Sequence, residues 1–261
     1  MEDKNYRVLR IEEQLYGCEE LPEGQPVLCD VLLEAADGTQ RVLPYPDAEL
    51  TRLDINEGST VTLRDHRLTK AAHKVYFTRH GETVWNVENK ICGMTDSPLT
   101  EKGRAQAREL GEKLRASGLR IDEILYSPLS RAADTARAIA EATGIPARCE
   151  PRLREQCFGR YEGTPRDGEE FRISKTHFAD RYSGGESMMQ LAQRIYNLLD
   201  ELRADTDKTY LLVAHNGIAR VVQSYFYDMT NEEYAAAGIK NCEFVEFTFN
   251  KQGTFISTLR K

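Results

Sequence analysis

Two histidines stand directly after apolar segments that have the length of β-strands. Residues 75–78 lead into Arg79 and His80, and residues 210–214 lead into His215. Open α/β sheets bind their ligands outside the carboxyl ends of the strands, so this pattern predicts ionisable side chains at a ligand-binding edge. A single arginine at the end of a strand usually faces solvent, and a single histidine usually has a structural role. The repetition of the pattern favours a functional site.

A third apolar segment ends in a similar way. Residues 124–126 lead into Ser127 and then into Arg131, which lies at the start of a predicted helix. The helix predicted after His215 would also direct its N-terminal amides toward the same edge. Two arginines and two histidines at one edge repel each other unless an anion joins them. The sequence therefore predicts a binding site for a polyanion.

Strand and helix patterns alternate from residue 74 onward, which predicts an α/β domain with a mainly parallel sheet. Ser187 followed by Gln190 is a capping-box pattern, and the apolar positions after it fall on one helix face. Strands are predicted over 74–78, 123–126, 209–214, 244–249 and 254–259, and helices over 100–117, 130–143, from 187 onward and over 218–228.

Residues 1–72 follow a different pattern, in which every second residue over 27–35 is apolar or small. Asp37 and Gly38 then supply a hairpin turn. The same period of two recurs at Leu9 and Ile11 and at Val61 and Leu63. We expect a small all-β domain, a barrel or a curled sheet, of unknown role; protein docking and oligomerisation are both open. The polar stretch 64–74 is the predicted linker.

Composition restricts the class of protein. The 261 residues are 40% hydrophobic and 30% charged, with a mean hydropathy of -0.56, which excludes fibrous and integral membrane classes. A formal net charge of -7 disfavours nucleic acid or a membrane surface as a partner. The N-terminus lacks a signal-peptide pattern, and the six cysteines form no CxxC pair, so we expect a cytoplasmic protein with reduced thiols.

In their order along the chain, these residues resemble the histidine phosphatase superfamily, also called the phosphoglycerate-mutase-like family. The resemblance runs through Arg79-His80-Gly81-Glu82-Thr83-x-Trp85-Asn86, Gly93-x-x-Asp96-x-Pro98-Leu99-Thr100-x-x-Gly103, Ser127-x-Leu129-x-Arg131-Ala132-x-x-Thr135-Ala136, Gly184-Gly185-Glu186-Ser187 and His215-x-Gly217. It implies a three-layer α/β/α domain with a mainly parallel sheet over 73–261, preceded by the small all-β domain over 1–72.

The resemblance implies that His80 is the nucleophile and forms a phosphohistidine. It also implies that Arg79, Asn86, Arg131 and His215 hold the phosphoryl oxygens, with His215 counted among the catalytic residues. Physical chemistry supports this arrangement, because a histidine nucleophile must be neutral and neighbouring guanidinium charges lower its pKa. The same guanidinium groups are planar donors to a phosphoryl group.

A proton donor is needed for the leaving alkoxide, and the resemblance implies Glu155 for this role. Glu162 is the alternative acid. The chain departs from many relatives at Asn216, where they have glycine after the second histidine; asparagine tolerates the same backbone, so we expect little effect.

Substrate contacts are predicted from the remaining motif residues and from the segment 156–183. We expect Cys92, Gly93, Arg160 and Arg172 to contact the substrate. Five basic residues of that segment could bind a second anionic group: Arg160, Arg166, Arg172, Lys175 and His177.

The favoured function is a metal-independent phosphatase of small phosphate monoesters. The stretch between Glu155 and Gly184 is short for a mutase, which needs loops that keep water from the phosphohistidine. Phosphoglycerate mutase activity is the first alternative, and a non-catalytic phospho-ligand or protein-binding module is the second. We expect no metal and no cofactor, a small phosphate ester as partner, and neither nucleic acid nor membrane; homo-oligomer formation stays open.

Overall fold

The computed structural model describes residues 4–14, 26–35, 37–70 and 73–249. The chain divides into two compact units, Met1–Ala72 and His73–Lys261. Within the described residues, no helix is long and apolar enough to cross a membrane. Each unit is built on a sheet of its own.

The first unit is an open antiparallel sheet with one short helix. Its elements are β1 Lys4–Glu13, β2 Leu28–Ala35, β3 Gln40–Pro46, α1 Asp47–Arg52, β4 Thr60–Arg64 and β5 Arg67–Lys70. The strand order is β3-β2-β1-β4-β5, and in the described segments the two edge strands do not pair to close a barrel. The β-rich character is as expected, but α1 is an addition, because six residues are too few to show a helical period in the sequence.

The predicted alternation in β2 is confirmed, since Cys29, Val31 and Leu33 are all buried. In β1 the prediction is wrong by one position. The register shifts between Val8 and Arg10 by a β-bulge, so that Val8 is fully buried and Leu9 is only half-buried. A bulge moves the residues on one side of it to the opposite sheet face, which a simple period of two does not anticipate.

The polar stretch 64–74 is not a linker throughout. Asp65 and His66 have positive φ angles, 47° and 62°, and form the turn of a β4–β5 hairpin. Leu68 in β5 is buried in the core of the first unit. Charged residues on the exposed face of this hairpin give the stretch its polar composition.

The second unit contains a five-stranded sheet in the order β10-β6-β9-β7-β8. The strands are β6 Lys74–Arg79, β7 Glu123–Tyr126, β8 Ala147–Cys149, β9 Tyr210–Ala214 and β10 Phe244–Thr248. Only β10 is antiparallel to its neighbour. Sequence reasoning missed β8, which has three exposed residues. The predicted strand over 254–259 lies outside the described residues.

Helices cover both faces of this sheet and give three layers. They are α2 Val84–Val87, α3 Glu101–Ser117, α4 Ser130–Thr143, α5 Glu169–Ser174, α6 Met188–Ala204, α7 Asn216–Phe226 and α8 Asn231–Ala236. One core lies between the sheet and α6 with α7, and a second core lies between the sheet and α3 with α4. The predicted capping box at the start of α6 is confirmed, because the Ser187 side chain accepts a hydrogen bond from the backbone N–H of Gln190 and the Gln190 side chain accepts one from the N–H of Ser187.

The strand order determines which residues meet. Because β9 lies between β6 and β7, the residues that follow these strands, His80, His215 and Ser127, lie side by side at one edge.

Two glycines allow the loop after β6 to lie against the start of α3. A Cβ on Gly81 would overlap the carbonyl oxygen of Gly103, and a Cβ on Gly103 would overlap that of Glu82.

We expect Gly103→Ala to lower the free energy of unfolding by about 1–3 kcal/mol, because its Cβ forces two backbone segments apart. Gly118→Ala at the C-cap of the same helix is the control, since its Cβ would meet open space and only its left-handed backbone, φ 66°, is unfavourable. Urea denaturation of both variants measures the difference. Equal losses of stability in the two variants would show that the close approach is not what limits position 103.

Candidate active site

A cavity of about 140 Å³ lies at the carboxyl ends of β6 and β9. Seven of the residues predicted from the sequence line it: Arg79, His80, Asn86, Cys92, Gly93, Arg131 and Glu155. An eighth, His215, lies beside the cavity with its ring centroid 5.2 Å from that of His80. The structure therefore brings together the residues predicted for nucleophile, phosphate binding and proton donation.

The imidazole of His80 is held in one orientation by backbone contacts. Its Nδ1 lies 2.7 Å from the carbonyl oxygen of Gly81, to which it donates. The residue's own N–H donates to the carbonyl of Ala214 at the end of β9. Because Nδ1 carries the hydrogen, the lone pair is on Nε2, the ring nitrogen available to a group in the cavity.

His215 is the N-cap of α7 and is fully buried. Its Nε2 lies 2.7 Å from the hydroxyl oxygen of Ser127. That hydroxyl oxygen also accepts a hydrogen bond from the N–H of Leu129. When the Ser127 hydroxyl donates to Nε2, the hydrogen of the neutral imidazole is on Nδ1, which is buried and has no partner among the described residues.

Arg131 is buried, at 1% exposure, and is held by backbone carbonyls. Its Nη2 donates to Gly93 at 2.7 Å, and its Nη1 donates to Thr95 at 3.1 Å. Asp96 adds a longer contact, 3.4 Å from Nη1. In the part of the chain that the structure describes, the Nε of Arg131 has no partner.

Arg79 is held in the same manner. Its Nη1 donates to the carbonyl of Ile239 at 3.1 Å, while its Nε is buried and none of the described residues accepts from it. Asn86 lies nearby in the capping box of α2, where its Oδ1 accepts from the N–H of Thr83 and from the Nδ2 of Asn241. The amide of Asn86 keeps its own NH₂ group as a donor at the cavity wall.

Three buried N–H donors at this site thus lack an acceptor within the described residues: Arg79 Nε, Arg131 Nε and His215 Nδ1. A buried donor that is left unsatisfied costs about 1–3 kcal/mol. An oxyanion in the cavity would satisfy such donors, and two of them belong to guanidinium groups suited to phosphoryl oxygens.

Burial and positive neighbours keep both histidines neutral. Burial, followed by the charges of Arg79 and Arg131, holds the pKa of His80 well below its usual 6.5. The pKa of His215 is also well below 6.5, again by burial first and then by the charges of Arg131 and His80. Burial also lowers the pKa of Arg79 to about 10, which leaves this group cationic at neutral pH.

Glu155 is nearly buried and has a fixed carboxyl group. Its Oε1 accepts from the N–H of Gln156 at 2.9 Å, and its Oε2 accepts from the N–H of Gly217 at 3.1 Å. The carboxyl thus occupies the N-terminus of α7, where the sequence predicts an anion site. A Cβ on residue 217 would overlap this carboxyl, which accounts for glycine there.

Glu162, the alternative acid, lies outside the cavity lining. Its carboxylate accepts from the N–H groups of Met94, Thr95 and Phe158 and from the hydroxyl of Thr95. These contacts fix the loop that carries Gly93, the residue whose carbonyl holds Arg131. Glu162 therefore has a clear structural role, and its placement disfavours it as the acid.

The structure does not place Arg160 and Arg172 in the cavity, which corrects the prediction that they contact the substrate. Arg160 is exposed, lies over the ring of Tyr161 at 4.9 Å and pairs with Glu170. Arg172 is on the exposed face of α5. That helix turns Phe171 and the following Lys175 toward the cavity, and residues four apart share a helix face from which position 172 is excluded.

Two basic residues of the 156–183 segment do line the cavity, Arg166 and Lys175, while His177 is exposed. A third, Arg220 of α7, was missed by sequence reasoning. A signal for it existed, because Asn216, Gly217 and Arg220 fall on one face of a helix that begins at the site.

The match to a known protein family lies in the second unit. The family model described as "Histidine phosphatase superfamily (branch 1)" matches residues 75–261. A probable phosphoglycerate mutase GpmB of Enterobacter sp. (strain 638) is 42% identical over 154 residues, which cover 56% of this chain and 70% of that protein. A GpmB protein of Yersinia pestis (strain Pestoides F) with the same description is 34% identical over 177 residues, covering 65% and 81%.

Among solved structures, a mycobacterial glucosyl-3-phosphoglycerate phosphatase in complex with VO3 is similar, with a TM-score of 0.59 and 30% identity. The match covers 67% of this chain and 90% of that one. The relatives thus include proteins described as a mutase and as a phosphatase. The family model covers well over half of the chain, and the chain belongs to the histidine phosphatase superfamily.

Proposed function

We propose that this protein is a metal-independent phosphatase that hydrolyses small phosphate monoesters through a phosphohistidine on His80. The observation that carries the proposal is the set of buried, unpartnered N–H donors of Arg79, Arg131 and His215 beside a neutral His80. A phosphoryl group supplies acceptors for those donors and an electrophile for the Nε2 lone pair.

In the first step, Nε2 of His80 attacks phosphorus as the bond to the ester oxygen breaks. Arg79, Arg131 and His215 donate to the non-bridging oxygens, on which the charge is spread. Glu155 transfers its proton to the leaving alkoxide, and the alcohol departs. In the second step, the Glu155 carboxylate takes a proton from water, the water oxygen attacks phosphorus, and the bond to Nε2 breaks to release phosphate.

The mutase alternative differs only in the acceptor of the second step, which would be a hydroxyl group of the bound acid. Two relatives are described as probable phosphoglycerate mutases, which supports this alternative. We favour water because the segment 156–183 contains only a 3₁₀ turn and the six-residue α5 to cover the phosphohistidine. A non-catalytic module is disfavoured, since His80 and Glu155 both line the cavity.

We expect the purified protein to release phosphate from 3-phosphoglycerate and p-nitrophenyl phosphate faster than it forms 2-phosphoglycerate, with EDTA leaving the rates unchanged. Acid-labile, base-stable phosphate should be trapped on the protein. His80→Asn should abolish the trapped phosphate, because the nucleophile is lost. It should also lower kcat/KM by at least about a thousandfold.

His66→Asn in the first unit is the matched control and should behave as the unmodified protein, since His66 is an exposed turn residue. Isomerisation of 3-phosphoglycerate with negligible phosphate release would assign the function to the mutase alternative. Full turnover by His80→Asn would refute the phosphohistidine itself.

The lowered pKa values predict that both site histidines stay neutral as the pH falls through ~6.5. The ring-proton NMR signals of His80 and His215, assigned with the His80→Asn and His215→Asn variants, should keep their neutral-form shifts across that pH. Arg131→Met removes a positive neighbour from both rings, so the pKa of each should move upward. Titration of either ring near 6.5 in the unmodified protein would contradict the assigned electrostatics.

Glu155→Gln should slow the hydrolysis of alkyl phosphates at least about tenfold more than that of p-nitrophenyl phosphate, because a phenolate leaving group needs little protonation. The comparison is the ratio of kcat/KM for the two esters. Glu162→Gln is the control: it loosens the loop that holds Arg131 and should slow both esters alike. If Glu155→Gln also slowed both alike, Glu155 would not be the proton donor.

A further inference from the structure

The segment 236–243 follows α8 and holds the active site from outside. Among the described residues that line the catalytic cavity, none belongs to this segment. Its backbone nevertheless contacts residues that do. The carbonyl of Ile239 accepts from Nη1 of Arg79, and the N–H of Ile239 donates to Oδ1 of Asn216. The N–H of Cys242 donates to the carbonyl of Arg79 at 2.9 Å.

A turn within this segment gives Asn241 a fixed position. The carboxylate of Glu243 accepts from the N–H of Lys240 at 2.7 Å, and the N–H of Glu243 donates to the carbonyl of Lys240 at 3.1 Å. The carbonyl of Glu243 accepts from the hydroxyl of Thr78 in β6 at 2.9 Å. Because the turn is tied to β6, the side chain of Asn241 is held at the end of that strand.

The side-chain amide of Asn241 donates to two groups of the active site. Its Nδ2 donates to the backbone carbonyl of His80 at 2.9 Å and to Oδ1 of Asn86 at 3.2 Å. A backbone N–H, that of Thr83, reaches the same Oδ1 at 3.1 Å. Since a backbone N–H can only donate, the atom that it meets on Asn86 is the oxygen. The amide of Asn86 therefore has its oxygen toward these two donors and its NH₂ group turned away from them.

The orientation of this amide determines its effect on an anion. The two ends of an asparagine amide have nearly the same shape, so only its hydrogen-bond partners decide which end faces the cavity. Asn86 lines the cavity, where its NH₂ group is a donor to an oxyanion. In the opposite orientation its carbonyl oxygen would meet the anion and repel it. The donor from Asn241 thus favours the orientation that binds an anion.

We propose that Asn241 is a positioning residue, which acts through Asn86 by fixing the NH₂ group of that residue toward the phosphoryl oxygens. Asn241 does not line the cavity, so it does not touch the phosphoryl group itself. Its second contact, to the carbonyl of His80, holds the backbone of the nucleophile beside the same amide. The proposal rests on the proposed function in one respect, that the cavity binds a phosphoryl group.

A double-mutant cycle with p-nitrophenyl phosphate tests the proposal. We expect Asn241→Ala to lower kcat/KM at least about fivefold and Asn241→Asp at least about fiftyfold. The aspartate is worse because its carboxylate accepts from the NH₂ group of Asn86 and turns the carbonyl oxygen of that amide toward the anion. When Asn86→Ala is already present, both losses should be at least about threefold smaller. The loss that remains for Asn241→Asp then measures its added negative charge alone.

Equal losses with and without Asn86→Ala would overturn the proposal. Asn197→Asp on the exposed face of α6 makes the same change of charge away from the site and is the matched control, which should keep kcat/KM unchanged. Circular dichroism checks that each variant is folded. Asn241→Asp keeps the shape of the side chain and decides the outcome if Asn241→Ala is unfolded.

The side-chain amide NMR signals of Asn86, assigned by their loss in Asn86→Ala, give a measurement that does not depend on turnover. Saturating vanadate should shift these signals in the unmodified protein, because its oxygens accept from the NH₂ group. In Asn241→Asp, vanadate should leave them in place. Signals that do not move in the unmodified protein, or that move equally in both proteins, would overturn the positioning role.

The two measurements also separate this proposal from the proposed function. If phosphate is released and trapped on the protein but the losses of the cycle are independent of Asn86, the phosphatase assignment stands and the positioning role fails. If no ester is hydrolysed but vanadate shifts the Asn86 signals in the unmodified protein and not in Asn241→Asp, the positioning role stands and the phosphatase assignment fails.

Discussion

The arrangement of this site depends on holding several cationic groups in a buried place without neutralising them. Carboxylates would hold guanidinium groups most strongly, but they would also compete with an anionic substrate. The chain uses backbone carbonyls for most of these contacts: Gly93 and Thr95 for Arg131, Ile239 for Arg79, Lys90 for Arg166 and Ala237 for Arg220. A carbonyl dipole orients the group while leaving its net charge available.

The use of backbone carbonyls to hold Arg131 also explains contacts outside the cavity. The loop that supplies Gly93 and Thr95 needs an anchor of its own, and Glu162 provides it with hydrogen bonds to the loop backbone. Gly93 lies against that carboxylate where a Cβ would overlap it. Glu162 thus fixes the position of Arg131 through the loop and does not pair with its guanidinium group. Most of the protein's negative charge lies outside the cavity.

The sequence predicted well which residues meet at the edge of the second sheet, because each follows a strand of recognisable length. His80, His215 and Ser127 come after β6, β9 and β7, and the parallel order of those strands suffices to bring them together. The basic residues of the segment 156–183 that line the cavity were predicted less well. Arg160 and Arg172 stand beside Arg166 and Lys175 in a charged segment, and only the backbone path of a 3₁₀ turn and a six-residue helix decides which of them turn inward.

The errors in the first unit have a related cause. A period of two predicts the buried face of β2 because pairing there is regular on both sides, with Val31 and Leu33 inward. In β1 a single bulge places Val8 in the core in place of Leu9. The pattern of side chains along one strand carries no sign of such a bulge, because the shift arises from pairing with the neighbouring strand.

The same uncompensated charges also connect the two histidines to the reaction. After burial, which has the larger effect, these charges hold the pKa values of His80 and His215 below 6.5, so that the first imidazole keeps a lone pair for attack and the second keeps a hydrogen to donate. A dianionic phosphoryl group brings opposite charge next to both rings and raises their pKa values. In the proposed reaction His215 then becomes a stronger donor where negative charge accumulates. His80 keeps its Nδ1 hydrogen on the Gly81 carbonyl when Nε2 bonds to phosphorus, so neutral imidazole leaves when the proposed phosphohistidine breaks. We therefore expect the arginines to keep His80 nucleophilic before substrate binds and the Gly81 contact to prepare its later release.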